Sequence, residues 1–250
     1  MKDRYRWFVV VLFAVAMAWV ESAVVVYLRT LVNRLDPYQT NPLPISAGLG
    51  QIELVREAAT LLMLLIVGWL AGKTLTTRLA YAAIAFGAWD ILYYVFLVPM
   101  SGWPRSIFDW DILFLLPMPW WGPVIAPTSI AALMVVGGTL FTRVTTRPSE
   151  APRRLTWGLS LVGVVLSLYV FMADAIRVSS QGAQAVRNVL PTTFNWVLFL
   201  IALALMAAPV VNLSWQAVRH RQAPTAGHAR SRGNASAEEL RSPRPYSPVS

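Results

Sequence analysis

Long apolar stretches separated by short polar segments dominate the chain. A hydrocarbon core about 30 Å thick requires roughly 20 apolar residues in a helix that rises 1.5 Å per residue. Six stretches meet this requirement, at residues 7–28, 54–71, 79–98, 124–142, 155–176 and 192–212. The pattern therefore predicts an all-α, polytopic membrane helix bundle with six transmembrane helices.

The segment 103–127 interrupts this pattern with five prolines and four tryptophans. Ser106 and Asp109 have the spacing of a helix-capping box ahead of the apolar run 112–116, and Pro117 and Pro119 would end a helix there. Non-helical backbone at membrane depth must be buried in protein or line a wet cavity. We therefore predict a broken half-helix on the extracytoplasmic side, with a helix lying on the membrane surface as the alternative.

Basic residues are distributed unequally between the two sides of the predicted bundle. Fifteen of the 21 Lys and Arg lie with the two termini and the loops after the second and fourth spans, five lie on the other side, and Arg56 lies within the second span. Because cytoplasmic loops carry an excess of Lys and Arg, both termini are predicted to be cytoplasmic, in a multi-pass protein of the plasma or inner membrane. Residues 1–212 would form the six-span domain, and residues 213–250, rich in Ser, Pro and Arg, a disordered basic cytoplasmic tail.

The composition narrows the class of protein further. Apolar residues make up 56% of the chain and charged residues 13%, whereas soluble domains carry roughly 25% charged residues, so an ordinary soluble enzyme is excluded. The net charge of +9 follows membrane topology, so the expected partner is the lipid bilayer and not nucleic acid. There is no Cys, and both His lie in the predicted tail, so no haem, zinc or iron–sulfur ligands, and hence no cofactor, are evident in the spans.

Acidic residues within the spans are the main candidates for a functional site. Helix rise places them all toward the extracytoplasmic side, where they would ring a polar cavity open to that side. The predicted spans contain four such acids but only one arginine. The excess of negative charge requires a further cationic partner, protonation of some carboxyl groups or a bound cation. The candidate ligand-binding or ion-binding residues are Glu21, Glu53, Arg56, Glu57, Asp90, Tyr93 and Tyr94.

Secondary candidates lie in the segment that is rich in Pro and Trp. Asp109 and Asp111 flank Trp110 and could hold a hard cation, although capping of the half-helix is the alternative. Trp120 and Trp121 could form a stacking wall for a solute or part of an interfacial aromatic belt. Whether any of these residues binds a metal is not determined by their spacing.

Three classes of function fit these observations. The first is a membrane protein that binds or transports a proton, a cation or a small cationic or amphipathic solute in the acidic cavity. Glu21, Glu57 and Asp90 would then contact the ligand, Arg56 would be the counter-charge, and the tyrosines would line the wall. The second is a non-catalytic subunit or assembly factor that binds a membrane-protein partner. The third is an intramembrane enzyme that acts on a lipid-linked substrate with a carboxylate or a metal ion.

Overall fold

The computed structural model describes residues 3–39, 47–144 and 154–222 of the chain. In these ranges the elements, in chain order, are α1 (Asp3–Leu31), α2 (Ala47–Ala71), α3 (Leu75–Ser101), β1 (Trp110–Phe114), β2 (Trp120–Pro123), α4 (Ile125–Val144), α5 (Arg154–Val178), a 3₁₀ turn (Ser179–Gln181), α6 (Ala183–Arg187) and α7 (Trp196–Gln222).

Six of these helices are long and apolar enough to cross a membrane, namely α1 to α5 and α7. The prediction of a mainly helical chain with six apolar helices is confirmed, and this architecture is compatible with an integral membrane protein. Most of the helices extend a few residues beyond the apolar stretches, because backbone hydrogen bonds continue into the polar flanks. Among the helix N-termini the change is largest for α2, which begins at Ala47, so that Glu53 and Glu57 lie well inside the helix and not in its first turn.

Helix α3 lies at the centre of the described bundle and packs against α1, α2 and α4. It begins at a capping box in which the Thr74 hydroxyl accepts a hydrogen bond from the backbone N–H of Thr77. It ends at Gly102, whose φ of 71° is the left-handed conformation that glycine adopts without strain. Small residues allow close approach, since a Cβ added at Gly87 would overlap the carbonyl oxygen of Ala131 in α4.

The segment rich in Pro and Trp does not form the predicted half-helix, and that prediction is wrong. Strands β1 and β2 pair antiparallel in a hairpin, with Asp111 opposite Gly122 and Ile112 opposite Trp121. Pro117 and Pro119 fall in the five-residue connection, where a missing N–H costs no ladder hydrogen bond. The continuous apolar run 112–116 fits a strand as well as it fits a helix, and its short length favours the strand.

The chain divides into two units, residues 1–213 and residues 214–250. The first unit contains all of the elements listed above up to Leu213 in α7. Of the second unit, the structure describes only residues 214–222, which are helical. Helix α7 thus continues past residue 212, and the part of the predicted tail from residue 223 onward lies outside the described residues.

Candidate functional site

A cavity of about 370 Å³ lies within the first unit, lined by residues from α1 to α5, α7 and the hairpin. All seven primary candidates from the sequence, on α1, α2 and α3, line this cavity. Asp111 and Trp120 of the hairpin line it as well, whereas Asp109 and Trp121 do not. The structure therefore brings the acids of three apolar helices to one place, and their role in binding stays a prediction.

Arg56 of α2 joins two of the acids. Its guanidinium forms ion pairs with Glu21 of α1 and with Glu53, which lies one turn before it on α2. Thr60, one turn further along α2, donates a hydrogen bond to the second carboxylate oxygen of Glu21 over 3.2 Å. One guanidinium group thus neutralises one of the two carboxylate charges and connects α1 to α2 within the candidate membrane spans.

A second buried network is centred on Asp111 of β1. Its Oδ1 accepts hydrogen bonds from Arg29 Nη2 at 2.8 Å and from the backbone N–H of Ile112 at 2.9 Å, and its Oδ2 accepts one from the Tyr94 hydroxyl at 3.2 Å. The Arg29 guanidinium also lies 4.2 Å from the centroid of the Trp103 ring. These contacts fix the hairpin to α1 and α3.

Burial raises the pKa of the Asp111 carboxyl above its ordinary value, because the charged form loses its hydration. The Arg29 charge and the hydrogen bonds from Tyr94 and Ile112 lower the pKa of Asp111 and so reduce this increase. The carboxylate charge at this depth therefore depends on Arg29.

Glu57 fixes the hairpin to α2. Its two carboxylate oxygens lie 3.1 Å and 3.0 Å from the backbone nitrogen of Leu115, the first residue after β1, and both accept from this N–H. The N–H of a residue that leaves a strand has no ladder partner, and a buried amide without a partner is costly. Glu57 satisfies that amide, but it has no ion-pair partner among the described residues.

Asp90 differs from the other acids because its carboxylate is buried and unsatisfied. The residue is only 7% exposed, and its Oδ2 has no hydrogen-bond partner among the described residues. The indole nitrogens of Trp89 and Trp120 also lack partners in the described part of the chain, and both of these residues line the same cavity. A native structure rarely leaves a buried acceptor and two buried donors unpaired around one cavity.

Aromatic rings form much of the remaining cavity wall. Phe86 and Trp89 of α3 have ring centroids 5.4 Å apart, and Phe114 of the hairpin lies 5.2 Å from Trp120. Trp120 in turn stacks on Phe171 of α5 at 6.4 Å with an interplanar angle of 4°. These rings, all of which line the cavity, connect α3 to α5 through the hairpin.

The two secondary candidates outside the cavity have structural partners. Asp109 Oδ2 accepts from the backbone N–H groups of Arg105 at 2.7 Å and Ser106 at 3.0 Å, and so closes the turn before β1. The Trp121 indole donates to the carbonyl oxygen of Val189 at 3.1 Å. Neither residue faces a ligand site in the described structure.

Sequence patterns gave only part of the site. The sequence pattern does not name a partner for Asp111, and the structure supplies Arg29 of α1. Thr60 was missed, although it lies three residues after Glu57 and four after Arg56 and so shares their helix face. The role of the Leu115 amide could not be anticipated, because its lack of a ladder partner follows from the hairpin.

Charge remains unbalanced around the cavity. Five carboxyl groups and three guanidinium groups line it. Arg56 is shared by Glu21 and Glu53, and Arg29 pairs with Asp111, so Glu57 and Asp90 are the acids without an ion-pair partner in the described residues. No group of three or more His, Cys, Asp or Glu side chains in the described residues is arranged to hold a metal ion.

Comparison with family models, with curated proteins and with solved structures finds no match to this chain. Its function is therefore argued from the geometry and chemistry of the cavity alone.

Proposed function

We propose that the protein lies in the plasma or inner membrane with both termini in the cytoplasm, and that the cavity is reached from the extracytoplasmic side. The support is the distribution of Lys and Arg, fifteen of which lie with the termini and the loops after α2 and α4. In this orientation the hairpin between α3 and α4 is extracytoplasmic, and Glu57 and Asp111 lie near the outer boundary of the bilayer.

We propose further that the cavity binds a cation or a small cationic solute, as a binding or transport protein would. The observation that carries this proposal is Asp90, a buried carboxylate without a partner among the described residues, on a cavity large enough for a ligand. A buried charge requires a partner or a shifted protonation state, because its desolvation costs several kcal/mol. A bound cation supplies that partner.

A titration of the purified full-length protein in lipid nanodiscs tests this function. Sodium, potassium, calcium, ammonium and organic ammonium ions are added separately, and the shift in the thermal unfolding midpoint is measured. We expect at least one cation to stabilise the protein saturably, by mass action. The double variant Glu57→Gln/Asp90→Asn should lose this stabilisation, whereas Asp174→Asn, on a carboxylate outside the cavity, should retain it. Equal stabilisation of the double variant and the parent would refute the proposal, and uptake into proteoliposomes then separates transport from binding.

A second candidate function is a non-catalytic subunit or assembly factor of a membrane complex. The specific observation in its favour is the internal pairing of most of the polar groups, with Glu21 and Glu53 on Arg56, and Asp111 on Arg29. This pairing would serve stability without a ligand. Co-purification of a stoichiometric membrane partner, combined with no response to any cation, would favour this function over the first.

A further inference from the structure

The ligand class follows from what the cavity offers a cation, and this inference rests on the proposed function. Hard metal cations require several oxygen ligands, six to eight for Ca²⁺. The cavity does not supply such a set, because Arg56 holds Glu21 and Glu53, Arg29 holds Asp111, and Glu57 accepts from a backbone amide. Glu57 and Asp90 both lack an ion-pair partner, but only Asp90 also lacks a hydrogen-bond donor among the described residues, so its carboxylate is the one left to pair with a single ammonium group.

The walls favour a cation with an organic body. Rings of Phe86, Trp89, Phe114, Trp120 and Phe171 line the cavity. Aromatic faces attract ammonium groups through their quadrupole, more strongly when the cation is desolvated, and they also offer flat apolar surface. A volume of about 370 Å³ lies near the lower end of the range for small-molecule pockets, which is roughly 300–1,000 Å³.

The indole N–H groups add a further requirement on the ligand. Trp89 is only 6% exposed, and its Nε1 has no acceptor among the described residues, as is also true of Trp120. A buried donor without an acceptor costs free energy that a ligand oxygen or nitrogen recovers on binding. Trp89 and Asp90 both line this cavity, so α3 contributes to it both a donor and an acceptor for a cation.

We infer that the cavity binds a small organic monocation, with one ammonium group for Asp90, a flat apolar or aromatic body for the ring-lined walls, and a hydrogen-bond acceptor for the indole N–H groups. Metal ions lack the apolar body and the hydrogen-bond acceptor, and neutral molecules of the same shape lack the charge. Both therefore bind more weakly.

Calorimetric titration of the full-length protein in nanodiscs tests this ligand class, with empty nanodiscs as the control for partition into lipid. The probes are tyramine as its ammonium ion, tyrosol as its neutral analogue, and phenethylamine, which lacks the phenol oxygen. We expect tyramine to bind with about one ligand per protein, tyrosol to bind about tenfold or more weakly, and phenethylamine to lie between them, since about 1.4 kcal/mol corresponds to tenfold. This comparison needs no variant and so does not depend on the folding of a mutant.

Variants then assign the contacts. Asp90→Asn should weaken tyramine about tenfold and leave tyrosol unchanged, since only the cation uses the charge. Trp89→Phe should reduce the preference for tyramine over phenethylamine. The matched controls Asp174→Asn and Trp157→Phe lie outside the cavity lining and should bind as the parent does.

The outcomes separate this inference from the proposed function. Tyrosol binding as tightly as tyramine, or tyramine binding that is indifferent to Asp90→Asn, overturns the inference. Calcium or sodium binding that requires Asp90, without tyramine binding, overturns the organic ligand class and leaves the proposed cation-binding function standing. Absence of binding by every cation overturns both.

Discussion

Replacing Arg29 with methionine removes the ionic partner that Asp111 has among the described residues, while keeping much of the apolar length of the side chain. The Arg29 side chain is 9% exposed and that of Asp111 is 1% exposed, so the pair is buried. Removing one member of a buried pair leaves an uncompensated charge and costs about 3–5 kcal/mol. The exposed pair of Arg177 with Asp174, in which the Arg177 side chain is 56% exposed, provides the contrast, and Arg177→Met should cost less than about 1 kcal/mol.

The assay is reversible unfolding of the purified protein in mixed micelles, with the free energy of unfolding determined for a double-mutant cycle. The cycle comprises Arg29→Met, Asp111→Asn and the double variant. Each single variant leaves one buried polar group without its partner, whereas the double variant removes both charges. We therefore expect the double variant to lose less than the sum of the two single losses, with a coupling energy of about 2 kcal/mol or more. Simple additivity, or a loss below about 1 kcal/mol in Arg29→Met, would refute the argument.

The same variant has an expected pH dependence. Burial raises the pKa of Asp111, and without Arg29 that pKa rises further. The folded state then holds a proton that the unfolded chain has already released above its own pKa of about 4. Stability from this carboxyl is full below the unfolded pKa and is lost as the pH rises through the folded pKa. The deficit of Arg29→Met relative to the parent should accordingly be smaller at about pH 5 than at about pH 8.

Three further predictions address the hairpin, the helix packing and the orientation. Glu57→Ala leaves the partly buried Leu115 amide unsatisfied and should cost about 1–3 kcal/mol, with faster hydrogen exchange in the hairpin. Glu57→Gln keeps an acceptor and should cost less, so equal exchange in both variants would contradict this role of Glu57. Gly87→Ala places a Cβ against the α4 backbone and should cost about 1–3 kcal/mol in the same unfolding assay, while Gly158→Ala, where a Cβ meets open space, should not destabilise. Because the chain has no Cys, single-cysteine variants report topology directly, and a membrane-impermeant maleimide should label Arg105→Cys in intact cells but Lys73→Cys only after permeabilisation; the reverse pattern would invert the orientation.

The hairpin shows why sequence patterns can assign the wrong element. The run 112–116 is continuously apolar, and such a run does not distinguish a buried strand from a buried helix by periodicity. Pairing of Asp111 with Gly122 depends on a strand ten residues away, and no local propensity reports it. The Glu57 carboxylate then completes the hairpin from a third element of the fold.

For the cavity, too, the sequence pattern predicts one part and only the tertiary structure determines the other. Helix rise alone places Glu21, Glu57 and Asp90 toward one side of the bundle, and the structure does bring them to one cavity. Which acid stays unpaired could not be read from spacing, because Arg56 lies within one helical turn of both Glu53 and Glu57, and the partner of Arg29 is far away in the chain. In the structure Arg29 pairs with Asp111, and Arg56 pairs with Glu21 and Glu53. Asp90 is left without a partner in the described residues.

The amino-acid sequence by itself determined the number and positions of the six apolar helices, because bilayer thickness sets a helix length that can be counted along the chain. It also determined the expected orientation, the absence of Cys, and the position of the main candidate acids on α1, α2 and α3. Tertiary structure decided the hairpin, the ion-pair partners and the aromatic lining of the cavity. Those features depend on contacts between residues far apart in the chain, and these contacts stabilise the protein only after the helices have packed.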